Sequence, residues 1–245
     1  MSPRITLAVA GRVLIQLRRD HRTLAMLLLL PCLRMSLLWW MFADSVLPVF
    51  DRTGPALLAV FPVTVMFLVT SVTTLRERSS GTLERLLAMP MGRLDFLLGY
   101  ALAFGAMAAV QSALAVGVSV GLLGLDVAGP LWLLTAVAVV DAVLGTALGL
   151  LVSAVAQTEF QAVQFLPLVV IPQLLLCGLF VPRAQLPPAL EKVSDVLPLS
   201  YAVDAMRHLT TSTATGQVWA DLAVVAGIAL GCLALGAATL RRRTA

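Results

Sequence analysis

Six apolar stretches of membrane-crossing length divide this chain, at roughly 24–43, 55–75, 96–123, 130–156, 163–181 and 218–240. A hydrocarbon core about 30 Å thick needs about 20 residues of helix rising 1.5 Å each, and every stretch meets that length. A segment inside a bilayer must satisfy its own backbone hydrogen bonds, so the fold class expected is an all-α integral membrane protein with six transmembrane helices. The stretches use more than half of the 245 residues, of which 60% are hydrophobic and 12% charged. No sizeable soluble domain fits beside them, and residues 1–245 read as one transmembrane domain. The first stretch is too long for a secretory signal and ends Met41-Phe42-Ala43-Asp44 without a small-x-small site, so it reads as an uncleaved anchor.

Basic residues fix the expected orientation. Arg4, Arg12, Arg18, Arg19 and Arg22 precede the first stretch, Arg76, Arg78, Arg85 and Arg93 lie between the second and third, and Arg241, Arg242 and Arg243 follow the sixth. Arg52, Arg183, Lys192 and Arg207 lie on the other side, so twelve oppose four and both termini are expected in the cytoplasm. The net charge of +4 thus reflects sidedness; no basic soluble face offers itself to nucleic acid. Sixteen arginines against one lysine, with abundant Ala, Leu and Val, suggest a GC-rich bacterial genome and hence a bacterial cytoplasmic membrane.

Residues 76–93 form a dense polar island. Its middle predicts a short helix: Gly81 precedes it, Leu83, Leu86 and Leu87 fall at i, i+3, i+4, and Pro90 ends it. A short helix with one leucine face between two spans can dock into a groove of a soluble partner and carry force. The alternative is a basic loop that fixes topology and nothing more.

The order of residues in the island, E-R-x-x-G-T-L-E-x-L-L-x-x-P-x-x-R, resembles the coupling-helix loop of ABC-2 type transporter permeases, the daunorubicin-resistance type in particular. A second block is similar to the family's C-terminal signature: Thr158-Glu159-Phe160-Gln161, Pro172-Gln173, Leu176-Cys177-Gly178-Leu179-Phe180-Val181-Pro182, and Leu197-Pro198-Leu199-Ser200-Tyr201 running on to Asp204 and Arg207. The resemblance implies a type V exporter-like permease with an N-terminal amphipathic interfacial helix and re-entrant external helices. It implies coupling to an ATPase through Gly81, Thr82, Leu83, Glu84, Arg85, Leu86 and Leu87. Two copies of a separate ABC ATPase subunit, which would bind ATP and Mg, and a second permease chain, as homodimer or heterodimer, are the implied partners. The substrate implied is drug-like, lipid or glycolipid.

Two further segments bear on that reading. Residues 4–20 predict an amphipathic helix whose Ile5, Val9, Val13 and Leu17 recur at i+4 and would lie in the headgroup layer; the alternative is a basic lead-in that only sets orientation. In the external segment 183–217, Pro187 and Pro188 start a helix carrying Leu190, Val193 and Leu197, Pro198 breaks it, and a second helix runs through Tyr201, Ala205 and Leu209 with Asp204, Arg207 and His208. Both would dip into the membrane covered by protein, and the resemblance implies an outer gate built from Pro187, Leu190, Val193, Pro198, Tyr201, Asp204 and Arg207. A solvated loop is the plainer alternative.

Arg34 and Asp141 each fall near the middle of a span, where a lone charge is costly. An ion pair, within the chain or across a dimer, is the simplest account; lining of a pathway and snorkelling of Arg34 are the others. Gln111, Gln164 and Gln173 read as interhelical hydrogen bonders, and the pairs Gly145/Gly149 and Gly227/Gly231 as close helix contacts. The cysteines, Cys32, Cys177 and Cys232, read as small core residues. No phosphate-binding loop, metal motif or catalytic constellation is present, so the chain reads as no enzyme, without a cofactor of its own. A proton-coupled secondary transporter using Asp141, and a non-transporting membrane partner on the same fold, are the rival functions.

Overall fold

A computed structural model describes residues 2–43, 45, 49–79 and 93–239. Nine α-helices and one 3₁₀ turn, with no strand, make up these residues. They are α1 (Pro3–Arg19), α2 (His21–Met41), α3 (Val49–Ser79), α4 (Arg93–Gly121), α5 (Leu131–Val155), α6 (Glu159–Leu176), α7 (Pro188–Ser194), α8 (Pro198–Thr211) and α9 (Gly216–Thr239). Six of them, α2, α3, α4, α5, α6 and α9, are long and apolar enough to cross a membrane.

Local chemistry sets the ends of these helices. Asp20 caps α2, its two carboxylate oxygens accepting from the Thr23 N–H at 3.1 Å and the Thr23 hydroxyl at 2.6 Å. These bonds hold the Asp20 carboxyl below the usual range. Thr158 caps α6 by accepting from the Gln161 N–H at 3.1 Å, and the Gln161 side chain accepts from the Gln157 N–H at 2.8 Å. The α6 helix runs 159–176, against the expected 163–181; Gly178, at φ +88°, follows its end in a conformation that side chains disfavour. The α3 helix begins six residues before Pro55 and carries Pro55 and Pro62 within it.

The centre of the bundle is α5, which packs on α3, α4, α8 and α9. Its Gly145 and Gly149 let α3 approach closely: a Cβ on Gly145 would lie 2.3 Å from the Val63 carbonyl oxygen, and one on Gly149 2.7 Å from that of Phe67. The other glycine pair does not act this way. Nothing lies within 4 Å of a Cβ at Gly227 or Gly231, so their small size serves no contact among the described residues. One core joins α3, α5, α8 and α9 through Leu58, Leu134, Leu144, Met206 and Val225; a second joins α1, α2 and α4 through Val13, Leu27, Phe96, Tyr100 and Phe104.

Candidate functional site: the frame around residues 80–92 and the Arg183 latch

Gly81, Thr82, Leu83, Glu84, Arg85, Leu86 and Leu87 lie outside the described residues. The two arms that carry them are described, and both are tied to their neighbours. On the incoming arm, Glu77 near the end of α3 is buried and receives Arg12 of α1 at 3.2 Å. One turn of the same arm sends Arg76 to Glu159 at the start of α6, a two-pronged pair with both bonds at 3.0 Å. On the outgoing arm, buried Asp95 in the first turn of α4 accepts from the N–H of Ser2, just before α1, at 3.0 Å and from the Thr6 hydroxyl of α1 at 3.3 Å. Both arms are therefore fastened to α1, and the incoming one to α6 as well.

The α1 helix makes this possible by packing on protein. Val9, Val13 and Leu17, expected in the headgroup layer, are buried against α4, and Ile5 is half-buried beside them. Gly99 opens the seat, since a Cβ there would fall 2.6 Å from the Val9 side chain. The reason is the aromatic ladder Phe96–Tyr100–Phe104, with centroids 4.3 and 6.2 Å apart, whose area the apolar side of α1 covers. The opposite side of α1 carries the exposed Leu7 and Ile15.

At the other end of the bundle Arg183 is the centre of a latch. Its guanidinium pairs with Asp204 of α8 and Asp195 just past α7, and lies 5.4 Å from the Tyr201 ring centre. The Tyr201 hydroxyl donates to the Asp195 carbonyl at 2.6 Å. Ser194 donates to the Leu176 carbonyl at 2.8 Å, and Gln173 of α6 accepts from the Leu199 N–H at 3.3 Å, so α7 and α8 are both fastened to the end of α6. The sequence set Asp204 beside Arg207 and His208; its partner is Arg183, absent from that set of residues.

The external residues separate into two groups. In α8, Pro198 is buried and Tyr201, Asp204 and Arg207 are half-buried; Pro187, Leu190 and Val193 are exposed. Within this chain α8 is packed on protein, whereas the seven residues of α7 bury only Ser194. Pro198 both ends the link after α7 and begins α8, its missing N–H costing nothing at that position.

Arg34 and Asp141 are not an ion pair within this chain. Arg34 lies with its guanidinium carbon 5.3 Å from the Phe61 ring centre, while Asp141 is fully buried with neither oxygen hydrogen-bonded among the described residues. The glycine contacts pair position 145 with 63 and 149 with 67, which sets Asp141 level with Ala59 and Arg34 level with Phe61. The two charges stand at nearly the same depth, with α3 between them. Gln173 bonds across helices as expected; Gln111 is buried without a partner among the described residues, and Gln164 is exposed.

A family model described as "ABC-2 type transporter" matches residues 5–210. The chain belongs to the ABC-2 type transporter family. Within it, the chain is 26% identical over 169 residues to the probable multidrug ABC transporter permease YbhR of Escherichia coli, covering 69% of this chain and 46% of that one. It is 25% identical over 156 residues to the probable multidrug ABC transporter permease YbhS of the same organism, covering 63% and 41%. To ABC transporter G family member 20 of Dictyostelium discoideum it is 26% identical over 159 residues, covering 65% and 22%. The chain thus spans less than half the length of these curated relatives. Family and apolar helices together make it a multi-pass ABC-2 membrane protein.

Proposed function

We propose that this chain is the membrane-spanning half of an ATP-driven exporter. The observation that carries the reading is the frame: Arg12–Glu77, Arg76–Glu159 and Asp95 with Ser2 and Thr6 bind both arms of the 80–92 segment to two other elements, α1 and α6. A loop that served topology alone would need no such ties. Two ATPase subunits, holding ATP and Mg, dock on the leucine face of the segment; the chain sits in a bacterial cytoplasmic membrane with both termini inside. A second permease chain, identical or homologous, completes the pathway, and the exposed apolar face of α6 (Leu168, Ile171, Leu175) is available to it. The outer latch around Arg183 closes the exit, and the substrate is a drug-like, lipid or glycolipid amphiphile. The names of the bacterial relatives, multidrug permeases, support that substrate class.

Co-purification tests the assembly. A tagged chain should draw down a soluble ATPase with a phosphate-binding loop at one ATPase per permease chain, and transport should follow ATP. Transport that persists without any ATPase and collapses with the proton gradient would replace this reading with proton coupling through Asp141.

A further inference from the structure

The junction of α1 and α2 gathers Arg18, Arg19 and Arg22, all exposed, and none of them forms an ion pair among the described residues. Asp20, the acidic residue within this run, has both oxygens engaged in capping α2. Three guanidinium groups against this one carboxylate leave the junction with a net positive charge. What lies above it has the shape of a lipid tail: with 100° per residue, Arg22, Met26, Leu29 and Leu33 share one face of α2, and the three apolar members are 62%, 62% and 55% exposed. From Arg22 to Leu33 that stripe climbs about 16 Å, roughly one leaflet of hydrocarbon. On α1 the exposed Ile15 and Leu7 lie on the same side as Arg18 and Arg4, opposite the face buried on α4.

We infer that the α1–α2 junction is a binding site for an anionic phospholipid, its phosphate held by Arg18, Arg19 and Arg22 and one acyl chain laid along Met26, Leu29 and Leu33. Charge complementarity selects the occupant. An exposed apolar face alone accepts any lipid or a second protein; three unpaired guanidinium groups at its base favour a negative headgroup. Since α1 is tied to both arms of the 80–92 segment, an occupied site holds α1 against α4 and steadies the frame. The inference rests on α2 crossing the membrane, and is independent of the ATP-coupling reading.

The test uses the purified chain alone. In nanodiscs containing phosphatidylcholine and phosphatidylglycerol, native mass spectrometry counts the lipids retained. Retention should favour phosphatidylglycerol by at least ~5-fold, the attraction expected of a single arginine at an anionic surface. R18Q/R19Q/R22Q should lose the preference and R18K/R19K/R22K should keep most of it. Hydrogen exchange of the α1 amides in wild-type protein, which needs no variant, should slow in discs containing phosphatidylglycerol relative to phosphatidylcholine alone. Equal retention of the two lipids by the wild type, or a preference unchanged in the glutamine variant, would overturn the site; so would an α1 exchange rate indifferent to lipid charge.

Discussion

Replacing Gly145 with alanine should destabilise the bundle more than the same change at any other glycine of the spans. The added Cβ would sit 2.3 Å from the Val63 carbonyl oxygen and 2.9 Å from the Val63 Cα, whereas ordinary contact begins near 3.4 Å. Helix α3 must therefore retreat by about 1 Å, and the atoms in the way are backbone, which cannot rotate aside. Overpacking of this kind costs about 1–3 kcal/mol, and a backbone clash belongs at the upper end. Alanine's better helix propensity returns about 1 kcal/mol, leaving a net loss of about 2 kcal/mol. At Gly149, where the clash is 2.7 Å, the loss should be smaller. Gly231 meets nothing within 4 Å, so alanine there should be neutral or slightly stabilising. Reversible unfolding of the three variants in one detergent–lipid mixture gives the order directly. Equal effects of G145A and G231A would refute the close α3–α5 contact.

Because α3 separates Arg34 from Asp141, R34L and D141L should be additive in unfolding free energy to within about 0.5 kcal/mol; a double variant markedly more stable than that sum would reveal a pair, within or between chains. R183A should free α7 from α8 and expose Cys177, so a water-soluble maleimide that spares buried Cys177 in the wild type should modify it in the variant; continued protection would show that the latch is not held by Arg183. Cysteines placed at Gln157 and Ala189 should label from opposite faces of the membrane, Gln157 from the cytoplasm; labelling of Gln157 from outside would invert the orientation.

The spans were legible because bilayer crossing imposes length and apolarity on contiguous sequence. The boundaries were less so: α6 stops at Leu176 because the backbone turns at Gly178, although Leu179, Phe180 and Val181 continue the apolar run. The amphipathic period of α1 was visible, but period cannot say whether an apolar stripe meets lipid or protein; that depended on Gly99 and the ladder of Phe96, Tyr100 and Phe104 on a distant helix. The frame was missed for the same reason. Arg12 and Glu77 stand 65 residues apart and Arg76 and Glu159 83, with no local pattern to join them. Asp95 left only a weak trace, an acid in the first turn of α4. Two charges at matching depth suggested a pair for Arg34 and Asp141, but depth is one coordinate, and the intervening helix lies along another.

In the proposed function, the segment between α3 and α4 couples ATP hydrolysis to movement of substrate. The most direct test of that coupling is the number of substrate molecules moved per ATP hydrolysed, measured in proteoliposomes holding the permease with its ATPase, for wild type and L83D/L86D. The variant should insert and assemble, hydrolysis should continue at a basal rate no longer stimulated by substrate, and transport per ATP should fall severalfold. An unchanged ratio would contradict the coupling and leave the segment as a signal for topology.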